Sequence, residues 1–338
     1  MTTDAAARTA PLVPLARALA LWLDGVGPVA PVARAPREAI GRVLADPLRA
    51  PADVPSAALA RRAGHAVAAA DTIGASPYAP AFAGSPPPLV AAGAALPAGC
   101  DAILPIGAVA DGPLPEILAE VAPGTDVRRA GSEARAGAIL RAEGARLRAL
   151  DAAIAQAAGL ERVRVREPIV ALDGAAQAAV APLVAALGGR VADIGAPADL
   201  AIRIGAAGEG DTILAAGLAL SPGEDAALGR DAAGVPLLVL PALASDAIGA
   251  ALALLPEALA RLSGGALATR SGILAEGLSS RGGLAEVALL AEGAQGLVPI
   301  AVGDTPLAAL ARADAFLVVP ADLEGFARGA AIAYLPVP

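Results

Sequence analysis

The chain is predicted to be a multidomain α/β protein, and three stretches of its sequence carry that prediction. Between residues 168 and 262 short apolar strands alternate with helical stretches, which argues for a parallel sheet with helices packed on it. Residues 48–125 are rich in Pro, Gly and Ala with short apolar runs, which suits a small β domain with many turns. Residues 266–338 hold short alternating strands separated by Gly, which suits a small β-barrel or sandwich.

Taken in order, residues 11–24 place Leu12, Leu15, Leu19 and Leu23 at helical spacing with Arg17 and Asp24 outward, and Pro28 and Pro31 are expected to end that helix. A second short helix is expected over 36–45, with Val43 and Leu44 inward. Pro88–Val90 and Ala102–Leu104 are the short apolar runs of the β domain, and Ser85–Pro88 reads as a stiff turn. Helical spacing returns at 145–160 and is followed by a strand at Val163–Val165. Ile169–Leu172 is a short strand, and Ala175–Leu187 is an Ala-rich helix stopped by Gly188 and Gly189. Asp199–Ile204 and Val235–Leu240 read as strands and Asp246–Leu262 as a helix. Ala285–Leu290 and Phe316–Val319 are strands of the last segment. The expected domains are 8–47 plus 135–167, 48–134, 168–263 and 264–338.

Composition removes several classes of function. The chain has 338 residues, enough for two to four domains. It has no Lys and no Asn, so every cationic side chain is Arg. A net charge of -8 argues against nucleic acid, whose binding needs a basic face. The single cysteine, Cys100, excludes internal disulfides and fits a reducing compartment. Mean hydropathy is +0.63. Yet Asp173 and Asp246 interrupt the apolar stretches, and a membrane span needs about 20 apolar residues in a row. Asp4 and Arg8 precede no apolar signal core. A soluble, cytoplasmic protein is expected.

Residues Pro55 to Val67 read P-S-A-A-L-A-R-R-A-G-H-A-V. This resembles, without a gap, the P-P-F-D-N-S-A-M-D-G-Y-A-V segment of the MoeA/gephyrin family, which inserts molybdenum into molybdopterin. Other segments resemble the same family in the same order. Gly41–Ala45 is similar to its G-R-V-L-A, Leu96–Ile103 to L-P-x-G-A-D-A-V, and Val127–Glu133 to V-R-x-A-G-E-D. Ser221-Pro-Gly223 and Leu240-Pro241 are similar to the starts of K-P-G-K-P and L-P-G-N-P, and Leu307–Tyr334 to the closing barrel strands. The resemblance implies a MoeA-like protomer with elongated N-terminal helical and β domains, a shortened MogA-like doubly wound sheet domain, a C-terminal β-barrel, and a homodimer.

The departures from that pattern fall on its chemistry. The family's catalytic aspartate falls on Ala63, and a threonine of T-G-A-x-L-P on Ala92. T-G-D-E-L becomes Asp173-Gly-Ala-Ala-Gln177, the second lysine of K-P-G-K-P becomes Glu224, and L-P-G-N-P becomes Leu240-Pro-Ala-Leu-Ala244. The G-G-V-S-V-G turn, which would offer amides to an anion, is reduced to Gly205-Ala-Ala-Gly208. Glu133 keeps a carboxylate in the place of an aspartate, and Asp211 stands after the glycine turn; these two are the candidate catalytic groups. Arg61 and Arg62, beside the lost aspartate, are candidates for phosphate or carboxylate. Ser221 and Gly223 are candidates for presenting backbone amides to an anion, against the repulsion of Glu224 and Asp225. Asp101 is expected to be structural, His65 to pack or face solvent, and Cys100 to be a buried thiol.

The expected function is that of a MoeA-like protein of molybdenum-cofactor biosynthesis or handling. It binds a pterin or related anion, with the molybdate-insertion site lost. No cofactor is certain; molybdopterin is the candidate ligand, with Mg2+ only if the chain is active. An active transferase with a rearranged site, using Glu133, Asp211 and Asp173, is the alternative, and a non-catalytic dimeric scaffold is a third reading. A molybdoenzyme client is the expected partner besides a second copy; no nucleic acid and no membrane are expected.

Overall fold

Fourteen of the twenty residues of 244–263 are Ala, Leu, Gly or Ile. With Asp246, Glu257 and Arg261 as its only charged residues, such a segment has little polar surface to show to water, so its helix must be buried on most sides. The computed structural model, which describes residues 11–110, 112 and 114–338, bears this out: helix Ala244–Ser263 buries thirteen of its twenty residues. Gly264, in the left-handed region, ends it. Asp4 and Arg8 lie outside the described residues.

The chain divides into two compact units, the larger built from residues up to 46, 143–148 and 163–338 and the smaller from 47–142 and 149–162. In the larger unit, a six-stranded sheet runs in the order Arg190–Asp193, Ile169–Leu172, Leu200–Ile204, Pro236–Leu240, Ala227–Arg230, Thr212–Ala216. The first four strands are parallel, as the strand–helix alternation predicts. The last two are antiparallel and extend the sheet beyond that expectation. Helix Gly174–Ala186 provides the crossover between Ile169–Leu172 and Arg190–Asp193.

A second sheet of the larger unit runs Val13–Pro14, Leu218–Ser221, Ala285–Gly293, Ala315–Val319, Ala331–Pro336, Arg270–Ile273, with Gly296–Val302 paired to Ala285–Gly293. Strand Leu218–Ser221 leads directly out of the first sheet into this one and pairs in parallel with Ala285 and Glu286. One apolar core joins the elements. It takes in Trp22, Val170, Leu172, Ile202, Leu220, Leu238, Leu254, Leu289 and Phe316. The N-terminal helix is Leu15–Trp22, and its deepest residues are Ala18 and Trp22, while Leu15, Leu19 and Leu23 pack at the core's edge.

The helix expected over 36–45 does not form. Pro36–Ala39 makes one 3-10 turn, Gly41 takes a φ of 84° that breaks any helix, and Val43–Leu44 is a strand paired with Val165 and Arg166. Val43 and Leu44 are nevertheless buried, as expected. Likewise the helical stretch at 145–160 shortens to Ala149–Ala157.

The smaller unit is a set of short antiparallel ribbons around Val67, Ala102, Leu104 and Ile117. Its centre is strand Gly64–Val67, flanked by Leu89–Val90 and Ala102–Leu104. Gly64 is required there, because a Cβ would lie 2.2 Å from the carbonyl oxygen of Leu104.

Replacing Leu254, which is fully buried in the main core, with Ala is expected to cost about 2–5 kcal/mol. Urea denaturation followed by Trp22 emission measures it; a loss under about 1 kcal/mol would contradict the packing described.

Candidate functional site

In the smaller unit the segment that resembles the MoeA catalytic loop is a short connection between two paired strands. Leu59–Ala60 pairs antiparallel with Val127–Arg128. The chain then passes through Arg61, Arg62 and Ala63, all exposed, into strand Gly64–Val67. The Arg61 amide donates to the Asp126 carbonyl at 2.7 Å. The Arg62 guanidinium forms an ion pair with the Asp126 carboxylate at 3.0 Å. Ala63, where a proton-transferring carboxylate is implied by the resemblance, presents only a methyl group.

The same strand pairing brings in a second run of charged residues. Glu133 is paired with Arg128, and both are exposed. Asp53 accepts from Arg135 at 3.0 Å and from the Ala136 amide at 2.9 Å. The amide bond from Ala136 leads the causes that hold the Asp53 carboxyl below its ordinary value. Residues 53–63 and 124–136 thus carry five arginines and three carboxylates, on a chain whose net charge is -8. Arg62, Arg128 and Arg135 are each engaged by one of those carboxylates. Among the described residues no Asp or Glu pairs with Arg61 or with Arg129. Arg129 is a cation that the sequence analysis did not single out.

The remaining groups nearby have structural work. The Asp101 carboxylate accepts from the Ala69 amide at 2.7 Å and so caps the turn Ala69–Thr72. His65 Nδ1 lies 2.9 Å from the Pro87 carbonyl oxygen, so that nitrogen carries the proton. The Cys100 thiol packs beside Ala60, Ala66 and Ile103, and burial, then Asp101 and Asp71, push it up from its ordinary value.

In the larger unit, Asp211 closes the turn Gly208–Asp211. Its carboxylate accepts from the Gly208 amide at 2.6 Å and from Arg203 Nε at 2.8 Å. Burial pushes this carboxyl up, but the Gly208 amide, Arg203 and the Ala232 amide together outweigh burial and hold it below the usual range. The turn that could have offered amides to an external anion has thus been given an internal one. Asp173 is used in the same way: it accepts from the Ala176 amide at 2.7 Å, capping helix Gly174–Ala186, and from the Ile204 amide at 3.0 Å.

Ser221 is buried at the end of Leu218–Ser221. Its hydroxyl donates to the Gly303 carbonyl at 2.8 Å and accepts from Arg281 at 2.9 Å. Arg281 is held in turn by buried Glu286 at 2.6 Å. Burial pushes the Glu286 carboxyl up, yet donors from Arg281 and Ser280 bring it below the ordinary range. Ser221 and Gly223 line a cavity of about 220 Å3 whose wall also includes Glu224, Asp225, Asp246 and Asp304. An anion entering it would face four carboxylates.

The structure therefore groups Arg61, Arg62 and Glu133 on the ribbons of one unit and places Asp211, Ser221 and Gly223 in the other, on two different sheets. The two candidate catalytic carboxylates lie in separate units and each already has a partner. Among the described residues no group of three or more His, Cys, Asp and Glu is arranged to hold a metal ion. A Mg2+ ion, which wants several free oxygen ligands, does not fit Asp211 as it is bonded here.

A partly parallel six-stranded sheet joined to a second mixed sheet, with a separate ribbon unit inserted after residue 46, defines a class of multidomain α/β proteins with which known proteins can be compared. Residues 13–159 match the family model for the MoeA N-terminal region (domain I and II). A molybdopterin biosynthesis MoeA protein from Pyrococcus horikoshii has the same fold, with a TM-score of 0.72 at 22% identity over 96% of this chain and 99% of that one. A molybdenum cofactor biosynthesis protein from Pyrococcus furiosus matches at a TM-score of 0.59 and 19% identity, over 96% of this chain and 98% of that one. No curated protein sequence matches the chain. Residues 13–159 thus match the MoeA N-terminal region by sequence, and nearly the whole chain shares the fold of the two Pyrococcus proteins.

Two outcomes follow from this geometry. Asp211→Ala leaves Arg203 and the Gly208 amide without their acceptor and is expected to cost about 1–3 kcal/mol in urea denaturation, whereas Glu133→Ala, at an exposed pair, is expected to cost under about 1 kcal/mol. Asp211 and Glu286 have folded-state values below their unfolded ones. The stability they contribute is thus full above the ordinary carboxylate range and is lost as pH falls through it. Between neutral pH and that range the denaturation midpoint should stay nearly flat with respect to these two groups, then drop on further acidification; a rise on acidification would contradict the assignment.

Proposed function

We propose that the chain acts in molybdenum-cofactor biosynthesis as a soluble, cytoplasmic binder of an anionic pterin, molybdopterin being the candidate, and that it does not insert molybdate at a useful rate. The observation that carries the reading is the ribbon face of the smaller unit. Arg61 and Arg129 stand there without carboxylate partners, next to an alanine where the family resemblance implies the reactive aspartate. Two guanidinium groups suit the terminal phosphate of such a ligand, since each presents a planar set of donors to phosphate oxygens. Catalysis would need more. Moving a proton or an oxyanion at the reacting centre needs a free acid or base, and Glu133, Asp211 and Asp173 are each committed to partners within the protein.

Ser221 and Gly223 have no part in this binding, because the cavity they line is acidic. The four-carboxylate wall would repel a phosphate that the basic ribbon face attracts. A homodimer and a molybdoenzyme client complete the proposal; in it the chain holds the pterin for a partner that carries out the chemistry.

Titration of the purified chain with molybdopterin tests the binding claim. Saturable binding is expected, weakened roughly tenfold by Arg61→Ala and further by adding Arg129→Ala, with the loss of charged hydrogen bonds setting the scale. Binding that is indifferent to both substitutions would remove the ribbon face from the account, and no binding at millimolar ligand would leave a scaffold. Growth of a strain lacking its molybdenumtransferase, restored by this chain on a molybdoenzyme-dependent substrate, would show the inactivity claim to be wrong.

A further inference from the structure

The larger unit contains a second, chemically distinct cavity that the reading above does not use. It has a volume of about 170 Å3. Its wall is formed by Leu187, Leu259, Leu267, Phe316 and Leu335, with Arg146 as its one charged side chain and the chain's last residue, Pro338, also on the wall. Its lining comes from the end of helix Gly174–Ala186, the last turns of helix Ala244–Ser263, and the second sheet.

Arg146 is unusual among the chain's arginines. It is half-buried, and burial pulls its guanidinium below its ordinary value. One of its nitrogens donates to the Gly41 carbonyl oxygen, and this is its only polar contact among the described residues. No Asp or Glu among them pairs with it. A guanidinium has five N–H donors, so several remain unused. A charge held against an apolar wall without a counter-ion is costly, and a carboxylate brought to it from solution relieves that cost in a medium where the attraction is strong. Around it lies an apolar space close to the roughly 150 Å3 that takes up benzene in an engineered protein cavity.

We propose that this cavity is a binding site for a small apolar monocarboxylate, an aryl or short alkyl acid, with the hydrocarbon against Phe316, Leu259 and Leu335 and the carboxylate on Arg146. The volume excludes a pterin, so the site is independent of the pterin-binding proposal. The single cation at one end of an apolar wall selects one charged head and one apolar tail, the usual division of labour in a small-molecule site.

Calorimetric titration of the full chain with benzoate, hexanoate, acetate and benzyl alcohol tests it. Benzoate and hexanoate are expected to bind saturably with one site per chain, acetate and benzyl alcohol at least roughly tenfold more weakly. Arg146→Met keeps an apolar stem and removes the charge; it should weaken benzoate roughly tenfold and leave benzyl alcohol unchanged. Ala268→Phe, at an exposed position on the cavity rim, should fill the space and abolish both. No saturable heat with benzoate in the millimolar range would overturn the proposal, as would equal binding of benzoate and benzyl alcohol by the native chain. The latter comparison needs no variant and decides the matter even if Arg146→Met fails to fold.

Discussion

The close approach of helix Ala244–Ser263 to the strands and loops around it is the constraint on which the larger unit depends. The helix lies in the core that joins the six-stranded sheet, the N-terminal helix and the second sheet. Its small residues set the distance. A Cβ on Gly249 would come within 2.4 Å of the Thr305 hydroxyl and 2.5 Å of the Pro222 ring. That hydroxyl, fully buried, donates to the Ser245 carbonyl at 2.9 Å. One missing side chain thus lets a loop from each end of the chain's second half press on the first turns of the helix. In a protein with few aromatics, burial has to come from many small contacts at short range rather than from a few large side chains.

This arrangement has an electrostatic counterpart. The chain neutralises its buried carboxylates from within. Glu167 is held by Arg34 at 2.7 Å and Arg42 at 2.8 Å. Burial pushes its carboxyl up, and those two arginines bring it below the usual range. Asp211 and Glu286 follow the same pattern with Arg203 and Arg281. The acids that a reader of the sequence would assign to chemistry have been spent on holding turns and helix ends. Arg61 and Arg129 on the ribbon face, and Arg146 at the apolar cavity, have no Asp or Glu partner among the described residues.

Much of the fold was legible in the sequence, for a definite reason. Ile169–Leu172 and Pro236–Leu240 are apolar throughout, and Leu200–Ile204 at every position but Arg203, and such runs stand out. The strands at Thr212–Ala216 and Ala227–Arg230 did not stand out: each mixes Ala, Gly or polar residues with few large apolar ones, and the last two strands of the sheet are fixed by pairing rather than by pattern. Residues 36–45 misled because Val43 and Leu44 are inward in a strand as they would be in a helix. At the site, sequence order exposed Ala63, Arg61 and Arg62. It could not show that Arg62 would be claimed by Asp126, that Arg129 would be left over, or that Asp211 would be closed on its own turn, since these depend on register and turn geometry.

Trp22 is the chain's one tryptophan, and it is wholly enclosed in the larger unit. The smaller unit has only Tyr78 as a phenol, and that ring is fully open to water already. Indole emission is therefore blind to the smaller unit. Were the ribbon lobe to come undone first, as lobes with thin cores tend to, the intrinsic signal would stay flat, and amide exchange or circular dichroism would be the techniques able to catch it.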